Sequence, residues 1–195
     1  MTQREITPAD IMELDAYLAI RKDKRREMSA VKRDRRVSVG PVATFYFENY
    51  ATMWHQVHEM LAIEKGGAEQ VPDELAAYNP LIPQGRELVA TVMFEIDDPL
   101  RRKTILGRLG GVEEHMFIEI NGERIAGRAE EDVDRTSADG KASSVQFVHF
   151  DLSDAQAAAF KADDARVVVG IDHENYGHMA QLSTDARKAL AADLD

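Results

Sequence analysis

This sequence predicts an α+β fold: a mainly antiparallel sheet of five or six strands, helices packed on it, and a long basic helix at the N-terminus. Three observations predict it. Segments that alternate apolar and polar residues recur at strand length. Asn121-Gly122, the pair favoured in two-residue hairpin turns, joins two of them. Stretches with apolar residues at helical spacing stand apart from the strands, as in folds that segregate helices from an antiparallel sheet.

The elements follow in order. Thr7 can cap a helix, Pro8 suits its first position, and Asp10 suits its positive end. Ile11, Leu14, Tyr17 and Leu18 continue at helical spacing, so a helix is expected from about Pro8 to the low thirties. "RRVSVGPVATFYFEN" reads as a strand broken at Gly40-Pro41, with Phe45 and Phe47 on one face and Thr44, Tyr46 and Glu48 on the other. A helix from Asn49 follows, and "VPDELAAYNPLIPQG" is a short helix running into a Pro-marked loop. "RELVATVMFEID" alternates as a strand, and residues 99–110 suit a helix closed by Gly110-Gly111. The hairpin around Asn121-Gly122 comes next, then a turn at Asp139-Gly140 and the strand "SSVQFVHFDL". Ser153 and Gln156 form a capping box before "DAQAAAFKA". "ARVVVGIDH" is the last strand expected, and "STDARKALAADL" a surface helix. One domain over 1–195 is expected, with the N-terminal helix over 1–36, the core over 37–182 and the C-terminal helix over 183–195.

Composition narrows the chemistry. With 44% hydrophobic and 30% charged residues, the chain is globular in character and not disordered. No apolar run reaches the roughly 20 residues that cross a bilayer, and the start lacks a signal-like apolar stretch. A cytoplasmic location and no membrane partner are therefore expected. Cysteine is absent, which removes disulfides, thiolate nucleophiles and Cys-type metal sites. The net charge of −11 is segregated: residues 21–36 hold nine of the 24 basic residues and three acids, leaving −17 on the remainder. Such asymmetry points to an electrostatic partner or an internal clamp. Nucleic acid is not the expected partner, because the run lacks interleaved aromatics and the acidic remainder repels a polyanion. No phosphate-binding glycine loop or nucleophile elbow is present.

Two surfaces could carry chemistry. On the helix from Asn49, Tyr50, Met53, Trp54, Val57, Met60 and Leu61 form an apolar face, with His55 and Glu59 opposite; an ordinary wet face explains that pair better than a metal site. Glu48, Glu95, Glu119, His115 and His149 fall on the polar sides of their strands, and would share one face of a common sheet. Carboxylates with imidazoles suit iron, manganese or zinc, or acid–base chemistry, although a wet sheet face explains them more simply. Asp172, His173, Tyr176 and His178 lie just past a strand end, where a functional loop and a plain polar turn fit equally.

The strings "KRDRRVSVGPVATFYFEN", "DELAAYNPLIP", "ELVATVMFE", "DRTS", "VQFVHFDL" and "DHENY", in this order, resemble the bacterial family called domain of unknown function 3501. The likeness covers nearly the whole chain. Members of that family are often encoded beside rubrerythrin-like di-iron proteins and Fe–S oxidoreductases, so the resemblance implies a redox or oxidative-stress context and a partner of that kind. The family's motif positions fall on Arg33, Arg35, Arg36, Glu48, Gln56, Glu59, Glu64, Asn79, Thr91, Glu95, Asp134, Arg135, Thr136, His173 and Tyr176. His55, His58, His115 and His178 lie outside them, which shifts the expected site towards carboxylates with His173.

The leading expectation is thus an accessory protein with a carboxylate/His pocket for a divalent metal (Fe, Mn or Zn) or a small polar ligand. Glu48, Glu59, Glu95 and His173 would line it, with Arg33, Arg35, Arg36 and Arg135 pairing charge or gripping an anion. Gln56, Tyr176 and His149 are secondary candidates. The alternative is a non-enzymatic interaction module docking a redox partner through its basic helix. The sequence leaves open whether the protein is an enzyme or a homo-oligomer.

Overall fold

The helix expected from Pro8 divides in two in the computed structural model of the chain, which describes residues 3–130, 136–137 and 140–195. A single 3₁₀ turn spans Pro8–Asp10, where the Asp10 carboxylate accepts from the Thr7 amide and hydroxyl at 2.8 and 2.7 Å. The chain extends at Ile11 and then forms α1, Leu14–Arg33. A neighbouring helix causes the break. The Trp54 indole donates to the Asp10 carbonyl at 2.9 Å, and the His58 ring accepts the Met12 amide at 3.0 Å. Side chains thereby satisfy backbone groups that an unbroken helix would pair internally.

After α1 come β1 (Arg36–Val39), β2 (Ala43–Phe47), α2 (Tyr50–Glu64), α3 (Val71–Tyr78), β3 (Glu87–Phe94) and α4 (Pro99–Leu106). Then follow β4 (Met116–Ile120), β5 (Glu123–Ala126), β6 (Arg128–Ala129), β7 (Val145–Asp151), α5 (Asp154–Lys161), β8 (Val167–His173), β9 (Tyr176–Gln181) and α6 (Thr184–Ala191). The α+β class and the antiparallel pairing hold. The strands, nine among the described residues, divide between two sheets, ordered β1-β2-β3-β7-β6 and β5-β4-β8-β9. Two of them escape the hydrophobic pattern for physical reasons. β6 is two residues long, and β9 buries Tyr176 while most of its other residues face water. The "HENYGHMAQ" stretch is therefore the turn and second strand of a hairpin rather than a loop.

Local chemistry fixes the joints. Asn121 and Gly122 both take positive φ, 53° and 90°, as a twist-matched hairpin turn requires. Gly127, between β5 and β6, is where one strand passes from one sheet to the other. A Cβ there would stand 2.4 Å from a Val148 methyl carbon, so only glycine lets the corner close. Asp139, expected to share a turn with Gly140, lies outside the described residues.

The two sheets face each other across one core. Phe45, Phe47, Val92 and Phe150 from the first meet Ile118, Val169 and Ile171 from the second, joined by Phe160, Leu190 and Leu194. The terminal helix expected at the surface is half-buried: Ala186, Arg187 and Leu190 point inward. Arg187 donates to the carbonyls of Phe160, Ala162 and Asp163 at the end of α5. On the outer face of the five-stranded sheet, Val89 and Phe147 receive Met53 and Val57 of α2, with Leu75, Leu81 and Ile82. α1 then lies over α2. No helix is long and apolar enough to cross a membrane, among the described residues.

Candidate functional site

α2 has two covered faces, which corrects the expectation of a wet side. The Asn49 side chain accepts from the Thr52 amide at 3.0 Å, and the Thr52 hydroxyl accepts from the Asn49 amide at 2.9 Å, fixing where the helix starts. Met53 and Val57 then face the sheet. His55, His58 and Glu59 face α1 instead of water, and His55 is only 9% exposed.

α1 answers that face with residues at the same spacing. Arg21 grips Glu59 through Nε and Nη2 at 2.8 and 2.9 Å. The Tyr17 hydroxyl donates to Glu59 Oε1 at 2.8 Å and lies 3.1 Å from His55 Nδ1. Arg21, and next the Tyr17 hydroxyl, outweigh partial burial and hold the Glu59 carboxyl at about 2, so it is an anion. Burial, with the neighbouring Glu59 carboxylate, pushes the Tyr17 phenol well up, so Tyr17 keeps its proton. Burial draws the His55 imidazole down, so it is neutral.

These charges settle the tautomer of His55. The one Tyr17 proton goes to the Glu59 carboxylate, so His55 Nδ1 must carry a hydrogen and donate it to the Tyr17 oxygen. Nε2 is then a bare lone pair. It has no partner among the described residues and is not sealed from solvent. His58, one turn on, is the opposite case. Its Nε2 accepts the Met12 amide and its Nδ1 donates to the Trp54 carbonyl at 2.7 Å, which leaves neither nitrogen free.

Two cavities flank this wall, each of about 330 Å³. The first is apolar and lies beyond Tyr17 and His58, among Ile11, Leu14, Leu61 and Val71. The second is bounded by Gln3, Lys24, Glu27, Tyr50, Trp54 and His55. Trp54, the chain's single tryptophan, stacks on His58 with ring centroids 3.8 Å apart. Lys24 sits 5.9 Å from the Trp54 ring and pairs with Glu27 at 2.9 Å. Volumes and linings of this kind suit a small organic molecule.

The residues singled out from the sequence are dispersed. Glu48 is buried, accepting from the Thr91 hydroxyl at 2.8 Å. Glu95 accepts from Thr44 and Tyr46, both at 2.7 Å, and these hydroxyls hold its carboxyl below the usual range. Glu48 and Glu95 share a sheet face but attach at opposite ends of the β2–β3 ladder. His173 lies in the other sheet. Its Nε2 faces the Gly110 carbonyl at 3.2 Å and its Nδ1 accepts the Asn175 amide at 3.2 Å. Glu119 belongs to that other sheet too, and His115 ends the 3₁₀ turn just before its strand β4, so the single polar sheet face expected from strand alternation does not form. Gln56 reaches the Tyr78 hydroxyl. Of Glu48, Glu59 and Glu95, Glu59 is the one joined to a cavity-lining imidazole, that of His55, through the Tyr17 hydroxyl. No three His, Asp or Glu side chains are grouped so as to hold a metal ion, among the described residues.

The arginines act separately as well. Arg33 pairs with Asp34 on the surface at 3.0 Å. Arg36 lies by Tyr46 and Glu95. Arg35 is buried against Asp193 and three carbonyls. Arg135 lies outside the described residues. Of the basic run, Arg21 turns inward, while Lys22, Arg25 and Arg26 are exposed. Sequence reasoning missed Tyr17, Arg21 and His55 as one unit. The available signal was two pairs four residues apart, Tyr17/Arg21 and His55/Glu59, on helices that could face each other.

His149 forms a second buried charge cluster. Nδ1 is 2.9 Å from Glu87 and Nε2 is 3.7 Å from Glu130. Burial lowers the affinity of the imidazole for a proton, but hydrogen bonds with Glu130 and Glu87 overcome it and bring the pKa up to about 9. A histidine raised in the folded state stabilises fully below its unfolded value and loses that contribution as pH rises through the folded value. Stability is therefore expected to fall by on the order of 2 kcal/mol between pH 7 and pH 10, measured by urea unfolding. The His149→Gln variant should lack this step; an identical pH profile in the two proteins would refute the charged cluster.

The chain matches, over residues 5–194, the model of the family described as protein of unknown function DUF3501. A 1.90 Å crystal structure, described as a novel protein of unknown function from Burkholderia pseudomallei K96243, is similar in sequence and fold. It is 36% identical, with a TM-score of 0.91 over 100% of both chains. No curated protein matches the chain.

Proposed function

The chain belongs to the DUF3501 family, and from its own geometry we propose that it binds a small organic molecule at the seam of α1 and α2. One observation carries this reading. His55, held at Nδ1 by Tyr17, lines the cavity bounded by Trp54, Tyr50 and Lys24, and its other ring nitrogen has no protein partner among the described residues. An occupant with a donor would add a hydrogen bond at that nitrogen, worth about 0.5–1.5 kcal/mol. The aromatic walls suit a planar group. The reading keeps Glu59 from the carboxylates expected from the sequence, replaces the expected His173 by His55, which lies outside the family's motif positions, and takes a polar organic ligand rather than a metal.

Trp54 provides the test. Titration with 8-anilinonaphthalene-1-sulfonate, an aromatic anion, should quench Trp54 emission saturably. Ala51 also borders the cavity, so Ala51→Phe should fill it and weaken dye binding by about tenfold, the effect of losing ~1.4 kcal/mol. Unchanged Trp54 emission, or the same titration curve in a folded Ala51→Phe protein, would overturn the reading.

A further inference from the structure

The Arg21–Glu59–Tyr17–His55 series does more than hold two helices together. A purely structural clamp needs Arg21 and Glu59, whose bidentate pair is complete without the imidazole. Extending the series through a tyrosine to a buried histidine fixes one tautomer and leaves Nε2 unprotonated, with a lone pair able to accept. We propose that His55 is the proton acceptor of this cavity, taking a proton from the O–H or N–H of a weakly acidic, planar ligand. This rests on the seam being a binding site, as argued above.

The step balances within the site. The ligand O–H bond breaks with its electron pair staying on oxygen, and the proton moves to His55 Nε2. The new imidazolium donates through Nδ1 to the Tyr17 oxygen, and the Tyr17 hydroxyl, keeping its proton, donates to the Glu59 carboxylate. Burial opposes the charge most, the Glu59 carboxylate favours it, and Lys32, Arg25 and His58 oppose it. The ligand anion meets Lys24, whose ammonium lies by the Trp54 ring. Glu27, exposed and paired with Lys24, bounds the same cavity. Glu59 is a positioning residue, acting on the ligand only through Tyr17 and His55.

A phenol that changes colour on ionising tests this. 4-Nitrophenol is planar, has one O–H, and absorbs differently as its anion. Calorimetric titration reports binding, and absorbance reports ionisation of the bound phenol. The ionisation constant of the bound phenol is expected to rise at least about tenfold over the free value, a shift of one pH unit. His55→Gln should still bind the phenol but lose that rise, and Glu59→Gln should lose part of it. Binding without enhanced ionisation, or enhanced ionisation retained in His55→Gln, would overturn the proton-acceptor role and leave the binding site standing. No calorimetric binding by the wild-type protein would overturn both.

Discussion

Replacing Arg35 by methionine is expected to destabilise the protein by about 3–5 kcal/mol, because it strands a buried carboxylate. Arg35 is 4% exposed and lies between β2 and α6. Its guanidinium donates to the Phe47 carbonyl at 2.9 Å, the Glu48 carbonyl at 3.0 Å and the Ala189 carbonyl at 3.1 Å, and it pairs with the buried Asp193. Burial raises the Asp193 carboxyl above its ordinary range even with Arg35 beside it. Without Arg35 that carboxylate has lost its compensating charge, and three carbonyls have lost donors. For a chain of this size the melting temperature should drop by roughly 10 °C or more. Removing both charges, Arg35→Met with Asp193→Leu, should recover part of the loss, since a hydrophobic replacement of a whole pair is tolerated better than half of one. Equal stability of wild type and Arg35→Met would show that the pair is not what holds α6 in place. Dye binding at the α1–α2 seam should be the same in both folded proteins, which separates this architectural arginine from the site.

Tyr176→Phe is expected to cost about 3 kcal/mol, although it deletes a single oxygen atom. The Tyr176 hydroxyl donates to the Val39 carbonyl at 2.7 Å and accepts from the Val42 and Ala43 amides at 3.1 and 3.0 Å. It thereby ties the β1–β2 turn of one sheet to β9 of the other. Removing it leaves up to three buried backbone groups without partners, each costing roughly 1–3 kcal/mol. The ring remains, packed edge-on to Phe94 at 5.9 Å, so no cavity confuses the result. Chemical denaturation of the two proteins measures the difference. A loss under about 0.5 kcal/mol, the usual scale of a neutral surface change, would contradict this linkage.

Local signals were legible in the sequence, and long-range ones were not. The Asn121-Gly122 turn, the Ser153/Gln156 capping box, the Asn49 helix start and the alternation of Phe45 and Phe47 all depend on neighbours a few residues apart. Which strand belongs to which sheet depends on Gly127 passing one strand between sheets, and no periodicity records that. The α+β class therefore emerged while the division into two sheets did not. The candidate site shows the same limit. Glu59 stood out, but its helix was read with one buried face because amphipathic spacing reports one partner layer at a time. A second layer, α1, covers His55 and Glu59 with Tyr17 and Arg21. Tyr17 looked like an ordinary stripe residue, and Arg21 was one cation among nine. Arg35 and Tyr176, candidates from the sequence, are instead held by backbone carbonyls and amides that no sequence pattern reveals.

The most direct measurement is the tautomer of His55 in the free protein near neutral pH. Two-bond ¹H–¹⁵N correlation spectra distinguish the two ring nitrogens, and comparison with the His55→Gln protein assigns the signals. A neutral ring with hydrogen on Nδ1 and an unprotonated Nε2 is the result required if Tyr17 and Glu59 hold it ready for a ligand. Hydrogen on Nε2, or an imidazolium, would mean that His55 offers the cavity no unprotonated nitrogen, and would contradict its role as acceptor.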